Sequence, residues 1–212
     1  MKSILSCAYW PNLHYFYYLL NSEAILIEQF ENYQRQSFRN RTSILSANGL
    51  LSLSIPALKQ GTKELTKDVE ISYAEQWQTK HWRAITSAYK NSPYFEHFES
   101  EIEPLYSKKF QSLLEYNLLQ IETIFKILKL KKNISLTTLY NKEIIDCEDL
   151  REKIHPKLDF KTDDNVRSAL NKNYYQTFES KFSFVPNLSI LDLIFNEGLG
   201  ALDYLMERRQ LQ

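Results

Sequence analysis

Glycine is scarce in this chain, at four residues of 212, and cysteine is scarcer still, at two. A phosphate-cradling loop needs several closely spaced glycines, and no such spacing occurs. Cys7 and Cys147 form neither a disulfide framework nor a metal-ligand pattern. No charge of one sign dominates, because 26 basic residues balance 26 acidic ones. Nucleic-acid binders draw affinity from phosphate neutralisation and carry a basic excess, so no nucleic-acid partner is expected. No apolar run reaches the length of a membrane span, and Asn12 and His14 interrupt the aromatic run near the start. With no signal-peptide pattern, the expectation is a cytoplasmic protein with free thiols and no integral membrane segment. A G-x-S-x-G elbow and an H-E-x-x-H pair are also missing. The carboxylates are scattered without a clear pair; no metal-ligating residues are assigned, and the sequence names neither a metal nor a cofactor.

What is present is aromatic, with 14 tyrosines and 12 phenylalanines. Such a chain can build a large core, which argues against disorder. Its length suits one substantial domain, 1–212, or a domain with a lobe attached. The opening reads as strand, helix, strand. "SILSCAYW" is short and apolar, Pro11 ends it, Asn12 caps a helix through "LHYFYYLLNS", and "AILIE" is a second apolar run. That order predicts a right-handed βαβ unit with parallel strands.

A hairpin is expected next. "SFRNRTSIL" and "LLSLSIPA" flank Asn48-Gly49, a turn pair that tolerates positive φ. This turn sets Ile44 opposite Leu53 and Thr42 opposite Ile55, with Arg39, Arg41 and Ser43 on the polar face beside Ser52 and Ser54. Residues 57–68 read as a polar loop, and "VEISY" as a further strand. Helices are expected over 75–91, 94–106 and 110–130. "NISLTTLY" is a strand candidate. Residues 141–180 are polar, without clear periodicity, and compatible with an excursion or small lobe. Two short helices, "LSILDLIFNEG" and "GALDYLMERRQ", close the chain around Gly198 and Gly200. The fold class is α/β: a mixed sheet with a βαβ start and a β-hairpin, then a helical C-terminal half.

Polar groups on apolar faces mark the candidate site. In "KHWRAITSAYKNSPYF" the helical wheel clusters His81 with Trp77, Ala84 and Ala88. An inward imidazole either bonds to a backbone carbonyl as a core residue or serves as general base near neutral pH. Tyr89 lies off the centre of that stripe, where its hydroxyl can reach a cleft. Asp192 and Asn196 sit one turn apart on a helix apolar nearly all round, so both need partners or a ligand. Their ordinary explanations are a capping box from Ser189 to Asp192 and a C-cap at Asn196. Strand alternation turns Asn40 toward the apolar face, where its amide is costly unless satisfied. Arg39 and Arg41 can clamp a phosphate or carboxylate, or simply be solvated.

Five blocks carry a resemblance: "AYWPNLHYF", "NYQRQSFRNRTSI", "WQTKHWRAITSAYKNSPYF", "LYSKKFQSLLEYN" and "NLSILDLIFNEG". Together they resemble the WbqC-like protein family, in its Bacteroidetes-type branch. Asn40, Arg41, His81, Tyr89, Pro93 and the pair Asp192 and Asn196 fall on its pattern. Where many relatives carry Gln-Pro ahead of the first block, this chain has Ser6-Cys7. The resemblance implies a role in O-antigen or other surface-polysaccharide synthesis and an amino-acid (glycyl) transferase activity. The partners it implies are a sugar or nucleotide-sugar and an acyl donor. The resemblance supplies no catalytic residues; on the residue arguments above, His81 and Asp192 are the catalytic candidates, and Asn40, Arg39, Arg41, Tyr89 and Asn196 the substrate-binding ones. The alternative is a non-catalytic module that binds a nucleotide-sugar or a partner protein. The strand–Pro–helix opening is also loosely similar to HIGH-type nucleotidyltransferases, but the His-x-x-His or His-x-Gly-His signature is absent.

Overall fold

The computed structural model describes residues 1–58 and 63–206. The chain opens with β1 (Lys2–Ser6), α1 (Leu13–Asn21) and β2 (Ala24–Glu28). β1 and β2 run parallel, from Lys2 opposite Ala24 to Ser6 opposite Glu28. The Asn12 side chain accepts the Tyr15 N–H at 3.0 Å, which satisfies one of the unpaired donors at the start of α1. Every residue of α1 from Leu13 to Leu19 is buried.

A hairpin of β3 (Arg41–Ser46) and β4 (Gly49–Ser54) forms its own two-stranded antiparallel sheet. Its register differs from expectation by two residues: Ile44 pairs with Leu51 and Thr42 with Leu53. The turn residues are Ala47 and Asn48, and Gly49 is the position with positive φ, at 100°. This is the combination of a turn and a left-handed glycine that closes one residue earlier than an Asn-Gly turn. A shift of two preserves which face each side chain occupies, so Ile44 and Leu53 still point into the core. Gly49→Val should therefore cost about 1–3 kcal/mol, because a β-branched residue resists that backbone region. An unchanged urea midpoint would show that the turn is drawn wrongly.

α2 (Trp77–Tyr89) is followed by α3 (Phe95–Ile102), α4 (Pro104–Ser107) and α5 (Leu113–Ile127). The single helix expected over 94–106 is broken: α3 ends at Ile102 and Pro104 opens α4, where its missing N–H costs nothing. Ser112 caps α5 by accepting the Glu115 N–H at 3.2 Å. "VEISY" is not a strand, since Glu70 and Ile71 make only single bridges, to Ser112 and Ala57. Of the loop expected at 57–68, residues 59–62, Gly61 included, lie outside the described residues, as does the last helix beyond residue 206.

β5 (Ile134–Leu136) adds to β2, and β6 (Glu148–Asp149) adds to β1, so the main sheet is parallel throughout with order β5-β2-β1-β6. Residues 141–180 thus contribute an edge strand. They also contribute α6 (Asp164–Leu170), which packs on α1, and the start of α7 (Glu179–Phe182). α8 (Ile190–Glu197) is buried along most of its length, and α9 (Ala201–Leu205) follows it. Between them Gly198 has a φ of 57°, and a Cβ there would lie 2.7 Å from the Tyr94 ring. Among the described residues no helix is long and apolar enough to cross a membrane, and no group of three His, Cys, Asp or Glu side chains is placed to hold a metal ion.

Candidate functional site

A cleft of about 380 Å³ opens between the free end of the hairpin and the first turns of α2. Asn40, Arg41, Ser54 and Ile55 come from the hairpin end, Trp77, Lys80 and His81 from α2, and Tyr33, Arg35 and Glu75 from the flanking loops. The hairpin end is braced by a reciprocal pair: the Ile55 N–H donates to the Asn40 carbonyl at 2.8 Å, and Asn40 Nδ2 donates to the Ile55 carbonyl at 2.9 Å. That second bond fixes the amide, because a carbonyl can only accept; Asn40 Oδ1 is left as a buried acceptor without a partner. Tyr33 Oη, Arg41 Nε and Trp77 Nε1 are buried and unpartnered as well. Four such atoms on one cleft are a concentration, since buried polar groups are normally bonded. Lys80 bonds Glu75 at 2.9 Å, whereas Arg35 and Arg41 have no ion-pair partner among the described residues.

A larger cavity, about 520 Å³, lies against β1, β2 and β5 beneath residues 137–147. Its wall mixes aliphatic side chains with Glu28, Glu143 and Asp146, and among the described residues none with an unpartnered buried atom lines it. Volume favours this cavity; the chemistry favours the cleft, and specific recognition is a matter of chemistry.

His81 is 6% exposed and lies against the Trp77 ring, with centroids 5.3 Å apart. Its Nδ1 is 2.9 Å from the Tyr9 hydroxyl. Burial, helped by the nearby Lys80 charge and opposed by a bond to the Ser54 carbonyl, lowers its pKa from 6.5 to about 4. The ring is therefore neutral at physiological pH.

The structure separates the remaining candidates from this cleft. Asp192 is 1% exposed and is held by Tyr89 Oη at 3.0 Å, Tyr174 Oη at 2.6 Å and Gln176 Nε2 at 3.0 Å. Burial raises its pKa to about 6, against the opposing effect of those three donors. The capping box is not made: Ser189 Oγ caps the helix by accepting the Leu191 N–H rather than that of Asp192, and the Ser189 N–H goes to the Ser43 carbonyl. Tyr89 does not reach the cleft, because its hydroxyl is committed to Asp192. Asn196 donates to the Asp192 carbonyl at 2.7 Å and accepts from the Thr177 hydroxyl at 3.1 Å. Arg39 is not on the hairpin's polar face. β3 begins at Arg41, and Arg39 turns inward to bond both oxygens of Glu31, at 2.7 and 2.6 Å, and Ser6 Oγ at 2.8 Å. Burial alone would lower its pKa, but the Glu31 carboxylate more than offsets this and holds it above the ordinary value.

Sequence reasoning missed Tyr33, Arg35 and Lys80, which sit in loops or on an outer helix edge. It also missed Tyr9, whose link to His81 crosses 72 residues. Trp77 had a signal, its place one turn before His81 on the same stripe.

No solved structure matches this chain. Uncharacterized protein Rv1507c of Mycobacterium tuberculosis (strain ATCC 25618 / H37Rv) is 24% identical over 98% of each chain. The model of the WbqC-like protein family matches residues 7–150, a span that holds every residue named above in the cleft and ends before Asp192 and Asn196. On that match, which covers more than half of its length, the chain belongs to the WbqC-like protein family.

Proposed function

We propose that the protein binds an anionic sugar derivative, a sugar phosphate or nucleotide-sugar, in the cleft between the hairpin and α2. One observation carries this reading: four residues that line the cleft, Tyr33, Asn40, Arg41 and Trp77, each carry a buried polar atom without a partner, and Arg35 adds a second cation to the same wall. A buried group left unbonded costs about 1–3 kcal/mol, so such a set is expected where a ligand completes it. The Trp77 indole N–H, the Arg41 Nε–H and the Tyr33 hydroxyl are donors suited to phosphate oxygens, with the charge of Arg35 and Arg41 behind them. Asn40 Oδ1 is an acceptor suited to a sugar hydroxyl. Calorimetric titration of UDP-glucose, with glucose 1-phosphate as a second probe, tests this. Arg41→Ala should weaken binding about tenfold or more, the worth of a charged hydrogen bond, with little change in the melting temperature. Absence of binding by sugar phosphates and nucleotide-sugars alike would sink the reading.

A second reading is transfer of an acyl group, such as glycyl, to a sugar in surface-polysaccharide synthesis. The observation that favours it is the titratable ring of His81 in the wall of the same cleft. Arg41 would hold an anionic donor and His81 would meet the reacting group, while Asp192 and Asn196 would serve the fold. Incubating the protein with an activated glycyl donor and a sugar acceptor, then weighing the sugar by mass spectrometry, separates the two. A sugar heavier by one glycyl group supports transfer, and an unmodified sugar leaves binding alone.

A further inference from the structure

We infer that His81 is a fixed hydrogen-bond donor to the ligand rather than a base, and that Tyr9, Tyr106 and Trp10 are positioning residues that hold its tautomer. This rests on the ligand-site reading of the cleft.

The argument begins at an indole. Trp10 Nε1 lies 2.6 Å from Tyr106 Oη, Tyr106 Oη lies 3.0 Å from Tyr9 Oη, and Tyr9 Oη lies 2.9 Å from His81 Nδ1. An indole N–H donates and cannot accept, so the chain has one direction that leaves no proton stranded. Trp10 donates to Tyr106, Tyr106 to Tyr9, and Tyr9 to His81 Nδ1. Run the other way, the Tyr106 hydroxyl proton would have no acceptor inside a closed core, at the cost of an unmade bond. Nδ1 is therefore an acceptor, and the neutral ring carries its proton on Nε2. The Ser54 backbone carbonyl, part of the cleft wall, lies near enough to the imidazole to oppose the lowering of its pKa, and a carbonyl beside the ring favours an N–H there.

The backbone fixes the rings of this hydroxyl chain in place. Trp10 has a φ of 36°, in the left-handed region that a bulky residue rarely enters. Its surroundings over-determine it. The Trp10 N–H donates to Gln120 Oε1 at 2.8 Å, and its carbonyl accepts from Thr42 Oγ1 at 2.8 Å and Ser189 Oγ at 3.1 Å. Strain of this kind persists only where the fold enforces it. Here it sets two consecutive aromatic side chains, Tyr9 and Trp10, at two points of one hydroxyl chain that ends on His81.

A ring so held has no free lone pair for an attacking hydroxyl or amine. Nδ1 is occupied by Tyr9, and Nε2 already bears a proton. What it offers the cleft is an N–H, which a phosphate or acyl oxygen can accept in place of the Ser54 carbonyl. A neutral imidazole in that role is a stabiliser of oxygen charge, not a proton acceptor.

Long-range ¹H–¹⁵N spectra of the ligand-free protein, labelled in its histidine rings, read the tautomer directly. His81→Asn identifies the His81 signals among the four histidines. The expected result is a neutral, Nε2-protonated ring from pH 5.5 to 8, and a mixture of tautomers in Tyr9→Phe. Tyr9→Phe should also weaken binding of inorganic phosphate and UDP-glucose about tenfold, the worth of one hydrogen bond held out of place. An Nδ1-protonated or doubly protonated His81 at pH 7 in the wild type overturns the inference, whatever the variant does. So does a Tyr9→Phe variant with unchanged tautomer and unchanged affinity. An Nε2 tautomer in a wild type that binds neither probe overturns the ligand reading on which the donor role rests.

Discussion

Glu31→Gln should destabilise the fold by about 3–5 kcal/mol, the usual result of leaving a buried charge without its partner. Glu31 is 6% exposed and Arg39 is 3% exposed, and they share two bonds. Removing the carboxylate strands a guanidinium whose solvation the fold has already taken away. The paired change Glu31→Leu with Arg39→Met removes both charges and should recover most of the loss, because a buried ion pair adds little over apolar side chains of similar size. Urea denaturation of the three proteins measures this. Arg41 gives the contrast: it is two residues away, yet Arg41→Ala should change binding and leave stability nearly alone. If Glu31→Gln unfolds no earlier than the wild type, Arg39 is free to serve a ligand and the division between the two arginines fails.

That division was not legible from local pattern. Alternation along "RNRTSIL" treats residues 39 and 41 as equivalents, but the strand starts only at Arg41. Outside a strand, a side chain's direction is set by tertiary partners, and the partner here, Glu31, lies in a loop with no periodicity. The hairpin and its inward face were legible because Asn-Gly and apolar alternation act locally. Its register was not, since a left-handed Gly49 can follow the turn as well as form part of it. Asn40, Arg41 and His81 were each marked by a polar side chain on an apolar face. Their meeting in one cleft depends on how α2 lies against β3, which no single segment encodes. Tyr89 and Asp192 carried the same kind of mark for a different reason: separated by 103 residues, they bond each other. A polar group on an apolar face signals a partner, and whether that partner is a ligand or another side chain is decided by packing.

Opposite responses to acid are expected from two of the buried titratable groups, Asp192 and His81. Asp192 has its pKa raised from 3.8 to about 6, chiefly by burial. A raised carboxylate contributes stability that is full below the unfolded value and lost as pH climbs through the folded one. Its window is therefore pH 4 to 6, and its size is on the order of 3 kcal/mol. His81 has its pKa lowered from 6.5 to about 4, again chiefly by burial. A lowered imidazole contributes stability that is full above the unfolded value and lost as pH falls through the folded one, over a window of pH 6.5 to 4 and to a similar extent, on the order of 3 kcal/mol. Over the shared window, acid strengthens the fold at Asp192 and weakens it at His81, and the two nearly cancel in the wild type. Single substitutions uncouple them. Relative to wild type, Asp192→Asn should lose stability as pH falls from 6 to 4, because the favourable protonation is gone. His81→Asn should gain over the same range, because no ring remains to be charged in the core. The comparison is the pH dependence of each difference, measured by urea denaturation at pH 4, 5, 6 and 7, so the fixed cost of either substitution drops out. Parallel curves for wild type and Asp192→Asn would mean that Asp192 is ionised throughout and that its three donors outweigh its burial. Parallel curves for wild type and His81→Asn would mean that water reaches the ring, and an imidazole open to water would again be free to act as a base.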